Sequence, residues 1–186
     1  MKKEIRVLGI DDGPFDKFND KEAIIIGALY RGGSFIDGIL SSKVKVDGND
    51  STEKIVEMVN KSKFKPQIQA ILLGGIAVAG FNVVDVKELN EKTDIPVIVV
   101  MRAYPEIDKI KDALVKLGHK EKLKLLEKAG QIHKLDEIFI QKIGLSLEEA
   151  DEIIDITSTH SLIPEPLRVA HLIARGVVEG ESKGRA

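Results

Sequence analysis

The sequence predicts an α/β fold whose mixed β-sheet begins with a three-stranded antiparallel meander. Apolar stretches in the first third of the chain are joined by short turn sequences, and later apolar stretches alternate with helical patterns. The composition, with 43% apolar and 31% charged residues, is typical of a globular protein. The length of 186 residues fits one domain and no linker or internal repeat interrupts it, so we expect a single domain over residues 1–186.

The meander is predicted from three apolar stretches. Residues 5–10 form a short apolar run that ends at the turn sequence Asp11-Asp12-Gly13-Pro14. Residues 23–30 are apolar throughout and rich in β-branched side chains, which predicts a central strand buried on both faces. Residues 31–34 (Arg-Gly-Gly-Ser) predict a hairpin turn, and its second strand runs over residues 35–40 and on through Val46.

The rest of the chain is predicted to alternate helices with strands. A helix begins after Asp50, a candidate N-cap, and the last helix begins at Pro164. In the last helix the expected buried stripe is Leu167, Ala170, Ala174 and Val177. The other predicted helices cover residues 83–90, 107–117, 120–128 and 146–156, and the other predicted strands cover residues 68–73, 95–100 and 138–143.

Composition and charge exclude several classes of function. The absence of cysteine excludes a disulfide scaffold, a thiolate zinc site, an iron–sulfur cluster and a cysteine nucleophile. A net charge of -2 argues against a protein that coats nucleic acid, although it allows a local basic groove. No apolar run reaches the roughly 18 residues of a membrane span, and acidic residues follow the first strand too soon for a signal peptide. We therefore expect a cytoplasmic protein without a membrane partner.

Asp11 and Asp12 follow the first predicted strand, where an acidic side chain beside a buried sheet needs a partner. A divalent cation is one such partner, because Mg²⁺ is held by one or two carboxylates together with water and substrate phosphates. The alternative is a turn in which an Asp side chain accepts a hydrogen bond from its own backbone before Gly13-Pro14. Asp12 fits the turn better, so Asp11 is the candidate metal ligand.

Further candidates lie at predicted junctions between strands and helices. Asp50 is explained as an N-cap, but Asp47 is not, and it is a candidate second carboxylate at the same sheet edge. Gly74-Gly75 ends a strand, where glycines let the backbone approach a phosphate closely, and a tight-packing loop is the alternative. Asn82 and Asp85 are three residues apart, a spacing that allows them to share a helical face pointing toward the strand ends.

The last predicted helix carries a basic stripe beside its apolar one. Arg168, His171 and Arg175 recur at helical spacing. Arg is suited to phosphate oxygens, and His can bind a metal ion or move a proton near neutral pH. The alternative is that His171 is a half-buried packing residue.

Two features bear on a nucleic-acid partner. Lysines over residues 120–128 predict a solvated basic helix face, with nucleic-acid contact as the alternative: Lys120, Lys122, Lys124 and Lys128. With two Tyr and six Phe in the chain, platforms for base stacking are scarce. Phe15 and Tyr104 are the candidates for a pocket role, and ordinary packing is the alternative for both.

Several of these segments resemble the archaeal endonuclease dU family. They are Gly9-Ile10-Asp11, the glycine-rich strand end that leads into residues 81–85 (Phe-Asn-Val-Val-Asp), residues 163–171 (Ile-Pro-Glu-Pro-Leu-Arg-Val-Ala-His) and the tail over residues 180–186. That family is similar to endonuclease V, a metal-dependent nuclease of the ribonuclease H-like fold that acts on deaminated bases. The resemblance therefore implies a ribonuclease H-like three-layer fold, which agrees with the predicted order of elements.

The resemblance also implies roles for individual residues. Asp11 matches the first-strand metal-binding Asp of endonuclease V, and Glu165 and Arg168 match its Pro-Glu-Pro-x-Arg segment. His171 stands where endonuclease V has an Asp, and Gly74-Gly75 stands where it has Asp-Gly. The implied assignments are catalytic Asp11, Glu165 and His171, metal-binding Asp11, Asp47 and Asp85, and substrate-binding Gly74, Gly75, Asn82 and Arg168.

The implied function is a Mg²⁺- or Mn²⁺-dependent endonuclease that cleaves phosphodiester bonds in nucleic acid carrying deaminated or damaged bases, with DNA favoured over RNA. One alternative is a module that binds nucleic acid or nucleotides on the same fold with weak catalysis or none. Another is a partner-binding domain whose acidic residues are capping groups. The oligomeric state is open, and a homodimer is one option.

Overall fold

A computed structural model of the protein describes residues 4–182. The strands are β1 (Arg6–Asp12), β2 (Glu22–Arg31), β3 (Phe35–Lys45), β4 (Ala70–Leu73), β5 (Ala77–Val78), β6 (Asn82–Val83), β7 (Val97–Met101), β8 (His133–Leu135) and β9 (Ile138–Ile143). The α-helices are α1 (Ser51–Asn60), α2 (Val86–Thr93), α3 (Ile107–Lys116), α4 (Leu123–Lys128), α5 (Leu147–Thr157) and α6 (Glu165–Glu179). Short 3₁₀ turns cover Lys65–Gln67 and Lys120–Lys122.

Seven strands form one mixed sheet in the order β3-β2-β1-β4-β7-β9-β8. The predicted antiparallel meander of β1, β2 and β3 is confirmed. β4 pairs with β1 and β7 in parallel, and β9 is antiparallel to β7. The carboxyl ends of β1, β4 and β7 therefore meet at one edge of the sheet, and ligands of open α/β sheets bind beyond this edge.

The sheet lies between two layers of helices. Leu8 and Ile10 of β1 pack in the apolar cluster that contains the buried side chains of α1 and α2. Val7 packs in the cluster that contains the buried side chains of α5 and Leu167 of α6. Because side chains alternate across a strand, Asp11 projects toward α6, as Val7 does, and Asp12 projects toward the opposite layer. The predicted α/β class and three-layer arrangement are confirmed.

Helix α6 packs directly on β1 because two glycines of that face leave room for it. A Cβ atom at Gly9 would lie 2.3 Å from the backbone carbon of Pro166, and one at Gly13 would lie 3.3 Å from the backbone oxygen of Ala174. Asp11 stands between these glycines on the same face, and α6 runs in the same direction as β1. The first strand and the last helix are therefore held in one fixed register.

The structure corrects the helix predicted over residues 83–90. Residues 77–83 instead form the β5–β6 hairpin, and α2 begins only at Val86. Of the three residues between the two strands, Ala79 (φ 47°) and Gly80 (φ 85°) have positive φ, which gives the tight backbone of this hairpin. Ala-Gly is not among the usual dipeptides of such a turn, so the sequence does not indicate this hairpin. Strand β8 is also absent from the predicted elements, because three residues are too few to show a periodic pattern.

The last turn of α6 also differs from the prediction. Val177, expected in the buried stripe, is 62% exposed. The helix continues past Ala174, which lies opposite Gly13, and β1 already ends at Asp12. The predicted stripe is therefore right for Leu167, Ala170 and Ala174 and wrong for Val177.

None of the helices within residues 4–182 combines the length and the apolarity that crossing a bilayer would require. Of the tail segment over residues 180–186, residues 183–186 lie outside the described residues. That residues 1–186 form a single domain stays a prediction.

Candidate active site

The candidate active site lies where the carboxyl ends of β1, β4 and β7 meet helix α6. Asp11 of β1 and His171 of α6 are 160 positions apart in the chain, yet Asp11 Oδ2 lies 2.9 Å from His171 Nδ1. Asp11 Oδ1 accepts a hydrogen bond from the Asp12 backbone N–H at 3.0 Å. The predicted convergence of the first strand with the charged stripe of the last helix is therefore present in the structure.

The contact with Asp11 governs the protonation of His171. The hydrogen bond to Asp11 raises the pKa of the His171 imidazole above its usual value, while burial of the ring acts in the opposite direction. Because Nδ1 faces a carboxylate oxygen, it is the nitrogen that carries the proton. The other nitrogen, Nε2, is buried and has no hydrogen-bond partner within the part of the chain that the structure describes.

Asp12 is a second carboxylate at the same strand end. Its Oδ2 accepts a hydrogen bond of 2.7 Å from the backbone N–H of Ala79, in the turn of the β5–β6 hairpin. Burial and the nearby charge of Asp11 raise the pKa of Asp12 to about 6, although the Ala79 N–H favours the charged form. The expectation that Asp12 only forms a turn is wrong, because Asp12 is the last residue of β1 and its side chain binds another segment.

A pocket of about 300 Å³ opens beside Asp11. Most of its lining is apolar, and Asp11 and Arg102 are its charged members. The lining residues are Asp11, Gly74, Gly75, Val100, Met101, Arg102, Ile163 and Leu167. A small apolar pocket with a few convergent polar groups is typical of a site for a small ligand or a flat ring.

Gly74 leaves room for the carboxylate of Asp11. A Cβ atom at Gly74 would lie 2.9 Å from Asp11 Oδ1, closer than real Cβ contacts come. Gly75 has a φ of 113°, a backbone conformation that favours glycine. The structure thus places both predicted glycines beside Asp11, and their contact with substrate stays a prediction.

Glu165 and Arg168 have a structural role that differs from the predicted one. Glu165 is buried, and both of its carboxylate oxygens accept hydrogen bonds from the Arg168 guanidinium, at 2.9 and 2.7 Å. Neither residue lines the pocket beside Asp11. The two side chains therefore hold each other within α6, and the assignment of Glu165 as catalytic and Arg168 as substrate-binding stays a prediction.

Asn82 is buried and does not face the site. Its Oδ1 accepts from the Ser51 N–H at 3.0 Å, and its Nδ2 donates to Lys45 O at 2.9 Å and Asp50 Oδ1 at 2.7 Å. The amide thereby joins β3, the start of α1 and β6. Because its hydrogen bonds are made inside the protein, the prediction that Asn82 binds substrate is wrong.

Asp47 is fixed in the same internal network. It has a φ of 52°, and its Oδ1 accepts from the Phe81 N–H at 2.8 Å. The Lys122 ammonium donates to the backbone oxygens of Asp47, Gly48 and Phe81 at 3.0, 2.8 and 2.7 Å. The prediction that Lys122 lies on a solvated face is also wrong, because its side chain is buried here, and this burial lowers its pKa.

Asp85 caps helix α2 instead of binding a metal ion. Its Oδ1 accepts from the Glu88 N–H at 3.0 Å, and its Oδ2 accepts from the Lys128 ammonium at 2.7 Å. Within residues 4–182 no three His, Cys, Asp or Glu side chains are grouped so that they could hold a metal ion. The prediction that Asp47 or Asp85 completes a metal site with Asp11 is therefore wrong.

The acidic pair Asp11–Asp12 remains as a donor set for a cation. Asp11 and Asp12 are the last two residues of β1, so both carboxylates stand at the same end of the strand. Such a pair fits Mg²⁺ or Mn²⁺, since Mg²⁺ is bound through one or two carboxylates while water and substrate phosphates supply the other ligands. Two carboxylates are too few for a metal site whose ligands all come from protein side chains.

Sequence reasoning missed two residues of this site. Asp12 was set aside because its position after a strand and before Gly-Pro is also typical of a turn. Arg102 follows the apolar strand β7 directly, lines the pocket and makes no ion pair within residues 4–182. A basic residue directly after a buried strand, at the edge of the sheet where the acidic end of β1 also lies, is the signal that could have identified it.

Comparison with known proteins gives the family. The model of the family described as Endonuclease dU matches residues 3–178. The UPF0215 protein of Methanothermobacter thermautotrophicus is 46% identical over 191 residues, covering 100% of this chain and 94% of that protein.

Solved structures agree with this result. The crystal structure of a protein of unknown function from Archaeoglobus fulgidus has a TM-score of 0.88 at 38% identity, covering 94% of this chain and 99% of that chain. Ciona intestinalis endonuclease V, in complex with a 24mer DNA containing an inosine followed by a ribo-adenosine, has a TM-score of 0.61 at 17% identity. That alignment covers 94% of this chain and 86% of that chain, and it shows the fold alone.

The sheet order and the acidic end of β1 define a protein of the ribonuclease H-like α/β class, to which endonuclease V also belongs. Within this class, the chain belongs to the endonuclease dU family. The resemblance found in the sequence is thereby confirmed. The description of this family, Endonuclease dU, indicates a nuclease.

Proposed function

We propose that the protein is a divalent-cation-dependent endonuclease that cleaves phosphodiester bonds in nucleic acid carrying deaminated or damaged bases. The observation that carries the proposal is the contact of Asp11 with His171, beside Asp12, at the rim of an apolar pocket. The family supports nuclease activity. The DNA bound to Ciona endonuclease V supports DNA as the preferred polymer.

In this proposal the acidic pair holds the cation. Asp11 and Asp12 would bind Mg²⁺ or Mn²⁺, which when bound supplies positive charge beside the scissile phosphate and lowers the pKa of water. His171 is a positioning residue: its Nδ1–H orients the Asp11 carboxylate, and the same hydrogen bond raises the pKa of the imidazole.

The neighbouring strand ends bind the substrate. The Arg102 guanidinium is suited to the oxygens of a phosphate next to the scissile bond. Gly74 and Gly75 let the substrate backbone pass close to Asp11, because no side chain projects from them. The apolar walls at Val100 and Leu167 then receive the altered base, which has left its stack in order to be recognised.

Cleavage of lesion-bearing oligonucleotides tests the proposal. We expect the wild type to cleave DNA that contains one deoxyuridine or deoxyinosine in the presence of Mg²⁺ or Mn²⁺, and not with EDTA. Asp11→Asn should lower the rate by more than about 100-fold, since losing even an outer partner of a metal ligand costs roughly 10–100-fold. The matched control is Asp151→Asn, at an exposed position on α5. Absence of cleavage by the wild type on both DNA and RNA would refute the proposal.

One observation favours the alternative of a nucleic-acid-binding module that has weak catalysis or none. The donor set for a cation consists of two carboxylates, without a third group within residues 4–182. In that case the wild type would bind lesion-bearing oligonucleotides in preference to intact ones and leave them uncut in Mn²⁺. The same oligonucleotides, followed by fluorescence anisotropy, separate the two candidates.

A further inference from the structure

The loop between β1 and β2 presents an aromatic side chain that almost nothing covers. Phe18 is 93% exposed, more than the other large apolar side chains within residues 4–182 that reach the surface. A Phe side chain left in water forgoes the favourable free energy of apolar burial. A contact with another molecule would recover part of that free energy.

The loop is ordered around this side chain by its own hydrogen bonds. Asp16 Oδ1 accepts from the backbone N–H groups of Phe18 and Asn19 at 2.8 and 3.2 Å, and Asp16 Oδ2 accepts from the Asn19 amide at 2.6 Å. The Asp20 carboxylate accepts from the Asp16 N–H at 2.7 Å. These hydrogen bonds, above all the one from the Asn19 amide, lower the pKa of Asp16. The backbone at Phe18 is thus fixed before any partner arrives, so binding would cost little loop entropy.

The loop also lies at the edge of the sheet that carries the candidate active site. Phe18 follows Asp12 by six residues, which span at most about 20 Å. Phe15 of the same loop packs at Gly80, next to the Ala79 N–H that binds Asp12. A polymer bound across Asp11 would therefore reach Phe18 within a few nucleotides.

A basic groove begins at the foot of this loop. An open groove of about 790 Å³ is lined by Lys21, Lys43 and Lys45, with Glu22 as its one acidic member. These three lysines are exposed and make no ion pair within the described residues 4–182. A basic groove that follows the backbone, combined with an aromatic ring on which a base stacks, is how single-stranded nucleic acid is bound without sequence preference.

We propose that Phe18 is a stacking platform for an unpaired base of the nucleic-acid substrate, and that Lys21, Lys43 and Lys45 bind the phosphates that lead to it. This inference rests on the proposed function, because it takes the nucleic acid that lies across Asp11 as the partner. It assigns a second contact outside the pocket, through which single-stranded segments flanking the lesion are held. Base stacking gives affinity that tolerates any sequence, while the pocket provides selection for the lesion.

The absence of Trp from the chain makes a direct test available. Phe18→Trp, combined with Asp11→Asn so that substrate stays intact, places a single Trp at the tip of the loop. We expect its emission to be quenched by single-stranded oligothymidylate and unchanged by an oligomer of abasic sugar phosphates of equal length. The matched control is Phe35→Trp, because Phe35 is 58% exposed and pairs with Arg31 at the opposite edge of the sheet. Its emission should not respond.

Affinity gives the second readout. Phe18→Ala should weaken binding of a labelled oligothymidylate about 5- to 100-fold, with Phe18→Leu between it and the wild type. Lys43→Gln with Lys45→Gln should weaken binding and reduce its dependence on salt. The stacking role would be overturned if oligothymidylate bound Phe18→Trp without changing its Trp emission and bound Phe18→Ala as tightly as the wild type. A wild type that dimerises and becomes monomeric in Phe18→Ala would overturn it too, since a second copy would then cover this surface.

The outcomes separate this inference from the proposed function. Quenching of the emission of the Phe18→Trp variant together with an absence of cleavage by the wild type would support the loop surface and refute the endonuclease. Cleavage that Phe18→Ala leaves unchanged in both rate and affinity would support the endonuclease and refute the platform. An absence of binding to every oligonucleotide would refute both.

Discussion

Asp11 connects three elements through a single carboxylate. One oxygen accepts from the Asp12 N–H, the other faces the His171 imidazole, and Gly74 leaves the space beside it. Each of these neighbours therefore constrains the geometry of Asp11. Two groups at this point, His171 and Asp12, have pKa values that differ from their usual ones. Each shift leads to a prediction for the cation-free protein at the scale of single residues.

The first residue-scale prediction concerns the imidazole. In Asp11→Asn the hydrogen bond to His171 loses its charge, so the pKa of His171 should fall relative to the wild type. An NMR titration can follow it directly, since the chain has four His residues. The control variant Asp151→Asn should leave that pKa unchanged. An equal pKa of His171 in Asp11→Asn and the wild type would contradict the contact.

The second residue-scale prediction concerns Asp12. Its pKa in the folded protein is about 6 against a usual 3.8, so the folded state binds more protons than the unfolded state between these values. The wild type should therefore lose stability relative to Asp12→Asn as the pH rises from about 4 to about 6, by at most about 3 kcal/mol. Above this window the difference should be constant. Urea denaturation at pH 4, 5, 6 and 7.5 measures it, and a difference independent of pH would contradict the raised pKa.

At the scale of elements, the packing of α6 on β1 depends on glycine. A Cβ atom at Gly9 would collide with the backbone of Pro166 and Leu167, which a side-chain rotation cannot relieve. Gly176, within α6, has nothing within 4 Å of an added Cβ atom. The same substitution should therefore have opposite effects at these two positions.

We expect Gly9→Ala to lower the free energy of unfolding by at least about 1–3 kcal/mol, because the backbone must shift. Gly176→Ala should raise it by roughly 0.5–1 kcal/mol, because alanine favours the helix interior. Thermal denaturation of both variants gives the two signs. A stable Gly9→Ala protein with an unchanged His171 titration would show that α6 tolerates another position on β1.

A second prediction at this scale concerns Lys122, which joins the 3₁₀ turn before α4 to two loops. Lys122→Met removes the donor from three backbone oxygens, and each acceptor left without a partner costs about 1–3 kcal/mol. We expect a loss on the order of 3 kcal/mol in the free energy of unfolding. Lys124→Met, at an exposed neighbouring position, should change it by less than about 0.5 kcal/mol. Equal stability of the two variants would contradict the buried role of Lys122.

Elements with long apolar patterns could be predicted from the sequence, and short or irregular ones could not. The meander follows from two long apolar strands and the Gly32-Gly33 turn, and α6 follows from its proline-rich start. The β5–β6 hairpin offers only two residues in each strand and a turn at Ala79-Gly80, so no period marks it. This difference matters because Asn82 lies in β6 and Asp85 caps α2, so the two do not share the helical face that was expected to point toward the strand ends.

At the scale of the whole molecule, the net charge of -2 cannot attract a polyanion over long distances. Binding of nucleic acid must then depend on a few local cations near the site, among them Arg102. Each phosphate contact releases counterions and adds about 0.9 to the slope of log affinity against log salt for duplex DNA.

Arg102→Gln should therefore weaken binding at low salt and reduce that slope by about 1. Fluorescence anisotropy with a lesion-bearing duplex at 50 to 200 mM salt measures both quantities. The control is Lys124→Gln, because Lys124 is exposed on α4 and does not line the pocket. An unchanged slope for Arg102→Gln would mean that Arg102 makes no phosphate contact.

The site could be predicted only in part, because it is a property of the whole chain. Asp11 stood out by its place after a strand, and the resemblance linked it to His171 across the entire sequence. Spacing does not reveal which carboxylates are already paired, so Lys128 and Arg168 could not be assigned to Asp85 and Glu165 in advance. Nor does it reveal that the Lys122 ammonium binds the backbone oxygen of Asp47. Those pairings depend on which helix packs against which loop.

The distance in sequence between Asp11 and His171 has a consequence for synthesis. During translation the first strand leaves the ribosome long before α6 exists, so the carboxylate has no imidazole beside it until 160 further residues have been made. A product of premature termination before residue 171 lacks that imidazole and the helix that covers Gly9. In the proposed endonuclease such incomplete copies would be inert, because the reactive centre assembles only once α6 has packed on β1.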